Sequence, residues 1–422
     1  MTTLTDPPKE QFRLSMLLYD TRYRSATIQV IAMFFFMLLA AWLINNTAQN
    51  LNALGKPIDF GFLPEPASYD INQRLLEYTS RDTHLRASLI GLLNTLVVAF
   101  LGCITATILG VIIGVLRLSN NWLISRVMAV YVEMFRNVPV LLWIVFIMAV
   151  LIETLPAPNA FRGDDPSASM MLSDSVALTN RGFYIPEPLF TRSLGDIHVF
   201  GASSLRFDIS IDLLAIIVIL GAGIWGAHVV KRRADVIQEA TGDRPTTWYI
   251  RLGLVVIPTA ILLLLLGFHF GYPELKGFNF KGGTHLRNSL IALWLALSLY
   301  TAAFIAEIVR AGILAISRGQ TEAAAALGLR SNRIMSLVVL PQALRVIIPP
   351  LISNYLNLTK NSSLAIAVGY MDITGTLGGI TMNQTGRELE CILILMLVYL
   401  AISLSISTVM NWYNESVKLR ER

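Results

Sequence analysis

The stretch TEAAAALG, from Thr321 to Gly328, lies between two long apolar segments and decides how the chain is organised. Alanine, leucine and glutamate favour a helix. Eight residues rise only about 12 Å, whereas a bilayer core is about 30 Å thick, so the helix is predicted to lie outside the lipid. A helix this short needs a surface to pack on, and its flat alanine face suits a groove on another protein.

Residues around this helix carry signals for its two ends. Ser317 and Gln320 have the spacing of a capping box. Glu322 is expected at the positive end of the helix dipole, and Gly328 is expected to stop the helix in left-handed backbone. A loop over residues 317–333 that contains one short helix is therefore predicted.

Composition places the chain in a membrane. Hydrophobic residues make up 54% of 422 residues, charged residues only 14%, and the mean hydropathy is +0.60. These values are typical of an integral membrane protein. The net charge of +5 is accounted for by basic loops beside the membrane and gives no reason to expect a nucleic acid partner.

About eight stretches are long and apolar enough to cross a bilayer, which predicts an all-α integral membrane protein. These predicted spans are Ala26–Ile44, Ser88–Leu116, Val127–Ile152, Ile211–Val230, Ile250–Phe270, Asn288–Ile308, Arg333–Tyr355 and Glu390–Met410.

The loop after the sixth span resembles the cytoplasmic coupling loop of the permease subunits of ABC importers. That loop reads Glu-Ala-Ala, three residues, Gly, nine residues, and then Ile-x-Leu-Pro, and here Val338 replaces the Ile. The resemblance implies that the loop docks on a partner ATPase through the six positions that are in register, namely Glu322, Ala323, Ala324, Gly328, Leu340 and Pro341. An ordinary amphipathic connector between two membrane helices is the alternative.

The resemblance covers Gly91–Ile152 and Asn288–Asn411. It implies a type I ABC importer permease core that is interrupted by a central insertion. The division expected from it is 1–87 for an N-terminal tail, an extra membrane helix and a periplasmic loop, 88–152 for the first part of the core, 153–287 for the insertion, and 288–422 for the second part of the core with the coupling loop 317–333.

The insertion is expected to hold a long periplasmic loop and two extra membrane helices. Four apolar residues of the loop can pack a small cap on the periplasmic face: Phe183, Tyr184, Ile185 and Phe190. A partly disordered surface loop is the alternative.

Basic residues are denser in the loops on one side of the predicted spans. Placing both termini in the cytoplasm puts the run Lys231–Arg233 and the tail residues Lys418, Arg420 and Arg422 on the cytoplasmic side, in agreement with the positive-inside rule. The coupling loop then faces the cytoplasm as well. The resemblance implies a multi-pass protein of the bacterial inner membrane.

Two glycine pairs, Gly110 with Gly114 and Gly375 with Gly379, have the spacing that lets helix backbones approach closely in lipid. Both pairs are predicted to pack helices.

A charged pair precedes Pro139 in a segment that is similar to the corresponding helix of polar amino acid permeases. Glu133 and Arg136 are three residues apart and are expected to form a structural ion pair. Neutralising each other lowers their cost near the membrane, and Pro139 is expected to kink the helix that follows.

Glu307 is an acidic residue inside the sixth span, on one helix face with Tyr300. A carboxylate at this depth is costly unless it meets water or a partner. One interpretation is a structural salt bridge with Arg310. The other is that Glu307 lines the substrate path with Tyr300 and meets the ammonium group of an amino acid, since the run from Ser298 to Gly312 is similar to permeases for polar amino acids.

Pro349-Pro350 is expected to interrupt the seventh span, and the run Asn354–Ser363 after it is too polar to face lipid. The run is predicted to line the substrate path, with an ordinary periplasmic turn as the alternative. Lys360 can also pair with Asp372. The path residues expected here, of which those from Lys360 onward can bind the substrate carboxylate, are Asn357, Lys360, Asn361, Ser362 and Ser363.

Several signals are absent from the sequence. No Gly-x-x-x-x-Gly-Lys-Ser/Thr loop is present, so ATP and magnesium are expected on a partner chain, and no cofactor is expected on this one. The five histidines lack ligand spacing, which argues against a metal site, and Cys103 and Cys391 are expected to be small core residues. No nucleophile and base are paired, so the chain is not expected to be an enzyme.

These features favour the membrane subunit of an ATP-driven importer of L-amino acids, broad within the polar class, that works by alternating access. The layout is similar to the Q-type permease subunit of general L-amino acid importers of Gram-negative bacteria. That resemblance implies three kinds of partner: a second, similar permease in a heterodimer, an ABC ATPase dimer and a periplasmic amino acid-binding protein. The alternative is an ion-coupled secondary transporter or a channel, which would need an internal repeat and an ion relay inside the membrane.

Overall fold

The structure is a computed structural model that describes residues 16–163, 165–201 and 204–417. It comprises two units, residues 1–60 and residues 61–422. In the first unit, α1 spans Met16–Tyr19 and α2 spans Thr21–Ala53. Apolar side chains are exposed on every face of α2, as is typical of a helix surrounded by lipid.

The second unit holds the remaining helices. They are α3 (His84–Leu116), α4 (Trp122–Asn137), α5 (Val140–Thr154), α6 (Ile211–Thr241), α7 (Trp248–Leu266), α8 (Asn288–Leu314), α9 (Arg318–Ala326), α10 (Ser331–Ile334), α11 (Leu340–Asn361), α12 (Ile373–Gly375), α13 (Met382–Thr385) and α14 (Glu388–Val417). Two π-helical segments, Met335–Val339 and Thr376–Thr381, and two 3₁₀ segments, Pro158–Phe161 and Ser362–Val368, lie between them.

The described part of the insertion contains nine short strands. They are β1 (Ala177–Thr179), β2 (Gly182–Ile185), β3 (Glu187–Phe190), β4 (Asp196–Val199), β5 (Phe207–Ser210), β6 (Phe268–Gly271), β7 (Glu274–Lys276), β8 (Asn279–Lys281) and β9 (Thr284–Arg287). All their pairings are antiparallel, in the order β1-β2-β9 for the one three-stranded sheet and β3-β6, β4-β5 and β7-β8 for the others.

Eight helical segments in the described part of the chain are long and apolar enough to cross a membrane. This confirms the predicted class and the number of spans. The prediction of one span over Val127–Ile152 is wrong, because α4 ends at Asn137 and α5 begins at Val140. Pro139 has no N–H with which to continue the hydrogen bonds of α4, and it holds Val138 in extended backbone.

The prediction that Pro349-Pro350 interrupts the seventh span is also wrong. The helix α11 is continuous from Leu340 to Asn361, with both prolines inside it. Prolines are tolerated in membrane helices because neighbouring helices and side chains satisfy the backbone groups that a proline leaves free.

The helices α3 and α8 form the centre of the second unit. A Cβ added at Gly110 would lie 2.6 Å from the Cβ of Ile305, and one at Gly114 would lie 2.7 Å from the carbonyl oxygen of Ala306. The first glycine pair therefore packs α3 tightly against α8, as predicted. Gly110 lies beside Ile305, and Gly114, further along α3, lies beside Ala306, further along α8. The two helices therefore run in the same direction.

The second glycine pair does not pack two helices together. A Cβ added at Gly375 or Gly379 would meet, as its nearest neighbour, the carbonyl oxygen of Tyr370 or Thr374, within the same short segment. That prediction is wrong, because the segment folds into α12 and a π-helical turn and does not form a long helix.

The insertion carries a folded cap, which is one of the two alternatives that the sequence leaves open. Tyr184, on β2, is 2% exposed, and its ring lies 5.3 Å from that of Phe280 on β8. Phe161 packs edge-on against Phe280 from the other side, also at 5.3 Å. Phe190, on β3, lies 5.8 Å from Phe268 on the paired strand β6. Aromatic residues thus form the interior of the cap.

Hydrogen bonds fix the cap to the first turn of α3. The buried side chain of Arg86 donates to the carbonyl oxygens of Arg206 and, at 2.6 Å, of Glu77. Arg206 in turn pairs with Asp208 at 3.2 Å. A hydrogen bond with His198 at 2.6 Å holds the pKa of the Asp208 carboxyl below its usual range. The cap therefore lies at the end of α3 that is opposite to Arg117.

Candidate functional site

The helix α9 ends as the sequence predicts. Gly328 has a φ of +79°. Its N–H donates to the carbonyl of Ala325 at 2.9 Å, and the N–H of Leu329 donates to the carbonyl of Ala324 at 3.3 Å. These two bonds are the Schellman arrangement, which satisfies carbonyl groups at a helix end and requires left-handed backbone at this position.

The start of α9 differs from the prediction. The helix begins at Arg318, so Glu322 is its fifth residue and does not lie at the positive end of the dipole. The capping box is also wrong, because the side chain of Ser317 makes no capping hydrogen bond. The side-chain oxygen of Gln320 accepts a bond from Nε2 of Gln342 at 2.9 Å instead. This bond ties α9 to the first turn of α11.

One face of α9 is exposed. Ala324 is buried, at 6% exposure, and anchors the helix on this chain. Ala323, Ala325 and Ala326 are exposed, and the side chain of Leu327 is 82% exposed. An apolar face outside the predicted spans, with a large side chain this exposed, is available for contact with another protein.

The last two coupling residues begin α11. Leu340 is 44% exposed and Pro341 is half-buried. Pro341 is the second residue of α11, which continues directly from the π-helical segment before it. The preceding segment Met335–Val339 is π-helical, a form that is frequent at functional sites.

Glu307 has two arginine partners. It accepts a hydrogen bond from Arg117, which directly follows α3, and its other oxygen lies 3.7 Å from Arg310. The side chain of Arg117 is 12% exposed and that of Glu307 is 34% exposed. The predicted bridge to Arg310 is therefore present. The closer partner was missed by the sequence analysis, although its position at the end of the apolar run of α3 is the signal that could have found it.

The predicted pair of Glu133 and Arg136 has other partners in the structure. Oε2 of Glu133 accepts a hydrogen bond from the side chain of Asn137 at 3.2 Å. The guanidinium of Arg136 lies over the ring of Phe304, 5.4 Å from its centroid. The helix α4 ends at Asn137, the residue after Arg136, and Arg136 lies beside α8, where the aromatic face of Phe304 attracts the cation. Tyr300 lies one turn before Phe304, at 5.0 Å between ring centroids.

The polar run at the end of α11 is mixed in exposure. Asn357 and Lys360 are exposed, Asn361 and Ser363 are half-buried, and Ser362 is fully buried. Both serines donate to backbone carbonyls three residues earlier, at 2.7 and 2.8 Å. A fully buried hydroxyl that is already bonded to its own helix is a poor substrate ligand.

Lys360 does not pair with Asp372. The carboxylate of Asp372 is fully buried, accepts the N–H of Gly375 at 2.8 Å and lies 3.3 Å from the hydroxyl of Tyr399. It therefore caps α12, while Lys360 is exposed on α11.

The two predicted halves of a substrate site do not come together. Ile347 on α11 is level with Gly312 on α8, because a Cβ added at Gly312 would lie 2.4 Å from Cγ1 of Ile347. Counting helix rise from this level places Ser362 about 15 Å beyond Glu307. Glu307 and the serines therefore cannot hold the ammonium and carboxylate groups of one amino acid at the same time.

The described residues contain no cluster of histidine, cysteine, aspartate and glutamate that could hold a metal ion. Cys391 is buried and Cys103 is half-buried in α3, and both are free thiols. The geometry offers an exposed docking helix, a charged contact between α3 and α8, and a polar segment at the far end of α11.

Comparisons with known proteins agree with this geometry. Residues 234–420 match the family described as binding-protein-dependent transport system inner membrane component. The glutamate/glutamine/aspartate/asparagine transport system permease protein BztB of Rhodobacter capsulatus is 58% identical over 430 residues, which covers all of both chains.

Two further relatives are similar over different lengths. The general L-amino acid transport system permease protein AapQ of Rhizobium johnstonii is 41% identical and covers 97% of this chain and 96% of its own. The glutamate/aspartate import permease protein GltK of Escherichia coli is 29% identical over 209 residues, which are 48% of this chain and 88% of GltK. The chain therefore belongs to the amino acid permease subunits of ABC transporters, the multi-pass inner membrane components that work with a binding protein and a partner ATPase.

Proposed function

We propose that this chain is one membrane half of an ATP-driven importer of glutamate, glutamine, aspartate and asparagine. The observation that carries the proposal is the exposed face of α9. Gly328 stops this helix, and the hydrogen bond between Gln320 and Gln342 ties the helix to α11. A partner ATPase that seats α9 can pull on α11 through this bond. Movement of α11 against α8 would then open the path on alternate sides.

The substrate class is supported by a full-length relative and by charge. BztB, named for these four amino acids, is similar over the whole chain. Arg136 lies over Phe304 and has no acidic partner in the ranges that the structure describes. A cation beside the path suits a substrate with a second carboxylate, and the amides share the same shape. The broader specificity implied by the likeness to general L-amino acid permeases is the alternative.

We further propose that the partner in the membrane is a second, similar permease, so that the complete importer holds two different membrane halves and two ATPases. This chain supplies one docking helix, and the second half would supply the other. ATP and magnesium would bind to the ATPases, and this chain would need no cofactor of its own.

The orientation proposed here places both termini and α9 in the cytoplasm. The cap lies at the start of α3, while α9 follows the far end of α8, and α3 and α8 run in the same direction. Lys231, Arg232 and Arg233 lie near the far end of α6, which also starts from the cap. The positive-inside rule then assigns the α9 side to the cytoplasm.

Cysteine labelling in cells tests this orientation. In a chain with Cys103 and Cys391 replaced, a cysteine at Ala326 is expected to react only with reagent that enters the cytoplasm. A cysteine at Ser169, which is exposed in the cap loop, is expected to react with a reagent that cannot cross the membrane. Ala324 is unsuitable because it is buried. Labelling of both positions from one side would contradict the proposed orientation.

A further inference from the structure

The helices α6 and α7 form a hairpin with a cavity at the end that is remote from the cap. The cavity has a volume of about 500 Å³. Its lining is mostly apolar, with Ile224 and Val255 among the residues, and it includes the basic residues Lys231 and Arg251. An apolar cavity that also carries two cationic side chains matches a ligand with an apolar part and an anionic part.

The cations of this cavity are not neutralised by the protein. Lys231 and Arg251 have no acidic partner among the residues that the structure describes. The Nε of Arg251 is buried and has no hydrogen-bond partner. Asp235, one turn after Lys231, is paired with Arg244 at 2.8 Å. A buried donor without a partner is costly, so the cavity is incomplete without an acceptor.

The cavity lies where the hairpin leaves the predicted membrane. Along α6, Lys231 is the first charged residue after the apolar stretch, and Arg251 is the last one before the apolar stretch of α7. Gly223 lets the helices touch deeper in the membrane, because a Cβ there would lie 2.7 Å from the carbonyl oxygen of Leu254. Trp248 also lines the cavity, as expected of an aromatic residue at a membrane interface.

We infer that this cavity binds the phosphodiester headgroup of an anionic phospholipid, with Lys231 and Arg251 on the phosphate and the first part of an acyl chain along Ile224 and Val255. Basic pockets between membrane helices at the cytoplasmic surface bind anionic headgroups in this manner. Free phosphate is also anionic but has no apolar part to place against Ile224 and Val255. The bound lipid would thus anchor the hairpin at the cytoplasmic surface of the membrane, on the same side as α9.

The test uses the purified full-length chain, freed of lipid and titrated with phosphatidylglycerol or with phosphatidylcholine of the same acyl chains. Bound lipid is counted by native mass spectrometry. We expect phosphatidylglycerol to bind at least about fivefold more tightly, and Lys231→Gln or Arg251→Gln to weaken it by about fivefold each, since each cation contributes separately. The charge-conserving variants Lys231→Arg and Arg251→Lys should keep the preference.

Arg244→Gln is the matched control, because it removes one exposed cation that already has a partner and does not line the cavity. It should leave binding unchanged. An unchanged preference in the double variant Lys231→Gln/Arg251→Gln would overturn the inference, as would binding of inorganic phosphate alone as tightly as phosphatidylglycerol. If the double variant does not fold, the inference is tested by cross-linking photoreactive phosphatidylglycerol to the unaltered chain. Cross-links should map to α6 and α7, and their absence there would overturn the inference.

Discussion

Replacing Gly328 by valine is expected to lower ATP-driven glutamate uptake at least about tenfold while the protein remains in the membrane. Left-handed backbone costs an L-residue roughly 1–2 kcal/mol, and more for a β-branched one. No atom lies within 4 Å of a Cβ added at Gly328, so the effect comes from backbone strain and not from a clash. Valine would unwind the end of α9 and turn Leu327 away from the docking face.

Gly328→Asn is the matched control, because asparagine tolerates left-handed backbone. It should keep most of the uptake. Uptake is measured in proteoliposomes that hold the complete complex, at equal amounts of membrane-inserted chain. Equal uptake by the valine variant and the unaltered chain would show that the end of α9 has no part in coupling.

Replacing Glu307 by glutamine is expected to lower the uptake of all four amino acids together by about tenfold. The change leaves Arg117, at 12% exposure, without its counter-charge between α3 and α8. A hydrogen bond to a charged group contributes roughly 1.5–3 kcal/mol, so the thermal stability of the chain should fall too. Glu133→Gln is the matched control, because Glu133 is exposed on α4 and has no arginine partner.

Charge swaps separate the structural role of Glu307 from the substrate-binding one. If the ion pair is structural, Arg117→Glu combined with Glu307→Arg should restore uptake to within about threefold, since most of the bond energy returns. The swap with Arg310 should not restore it, because an arginine at position 307 would face Arg117. A folded Arg117/Glu307 swap without uptake would favour the interpretation that Glu307 meets the substrate.

The helical architecture and the end of α9 follow from local signals in the sequence. Apolar length predicts the spans, and the Gly110 and Gly114 spacing predicts that their helix packs closely on another helix, because both signals are patterns of residues near one another in the chain. Left-handed backbone at Gly328 is predicted for the same reason. The break at Pro139 and the continuous helix through Pro349-Pro350 show that a proline alone does not decide whether a membrane helix ends.

Partners of charged side chains depend on tertiary contacts that the sequence does not contain. Arg117 is 190 residues from Glu307, and Arg136 finds Phe304 only because α4 packs on α8. Local spacing therefore favoured a pair with Glu133 that does not form. The strands of the cap were not predicted from the sequence, for a similar reason: β2 pairs with β9, which lies about one hundred residues later in the chain.

The most direct test of the coupling role is to measure which energy source drives uptake. The purified complex is placed in proteoliposomes, and the accumulation of labelled glutamate is measured with the loaded binding protein on the cap side. With ATP and magnesium on the α9 side and no ion gradient, we expect accumulation that stops when the ATPase is omitted. Accumulation without ATP under a sodium or proton gradient would contradict the account and favour a secondary transporter.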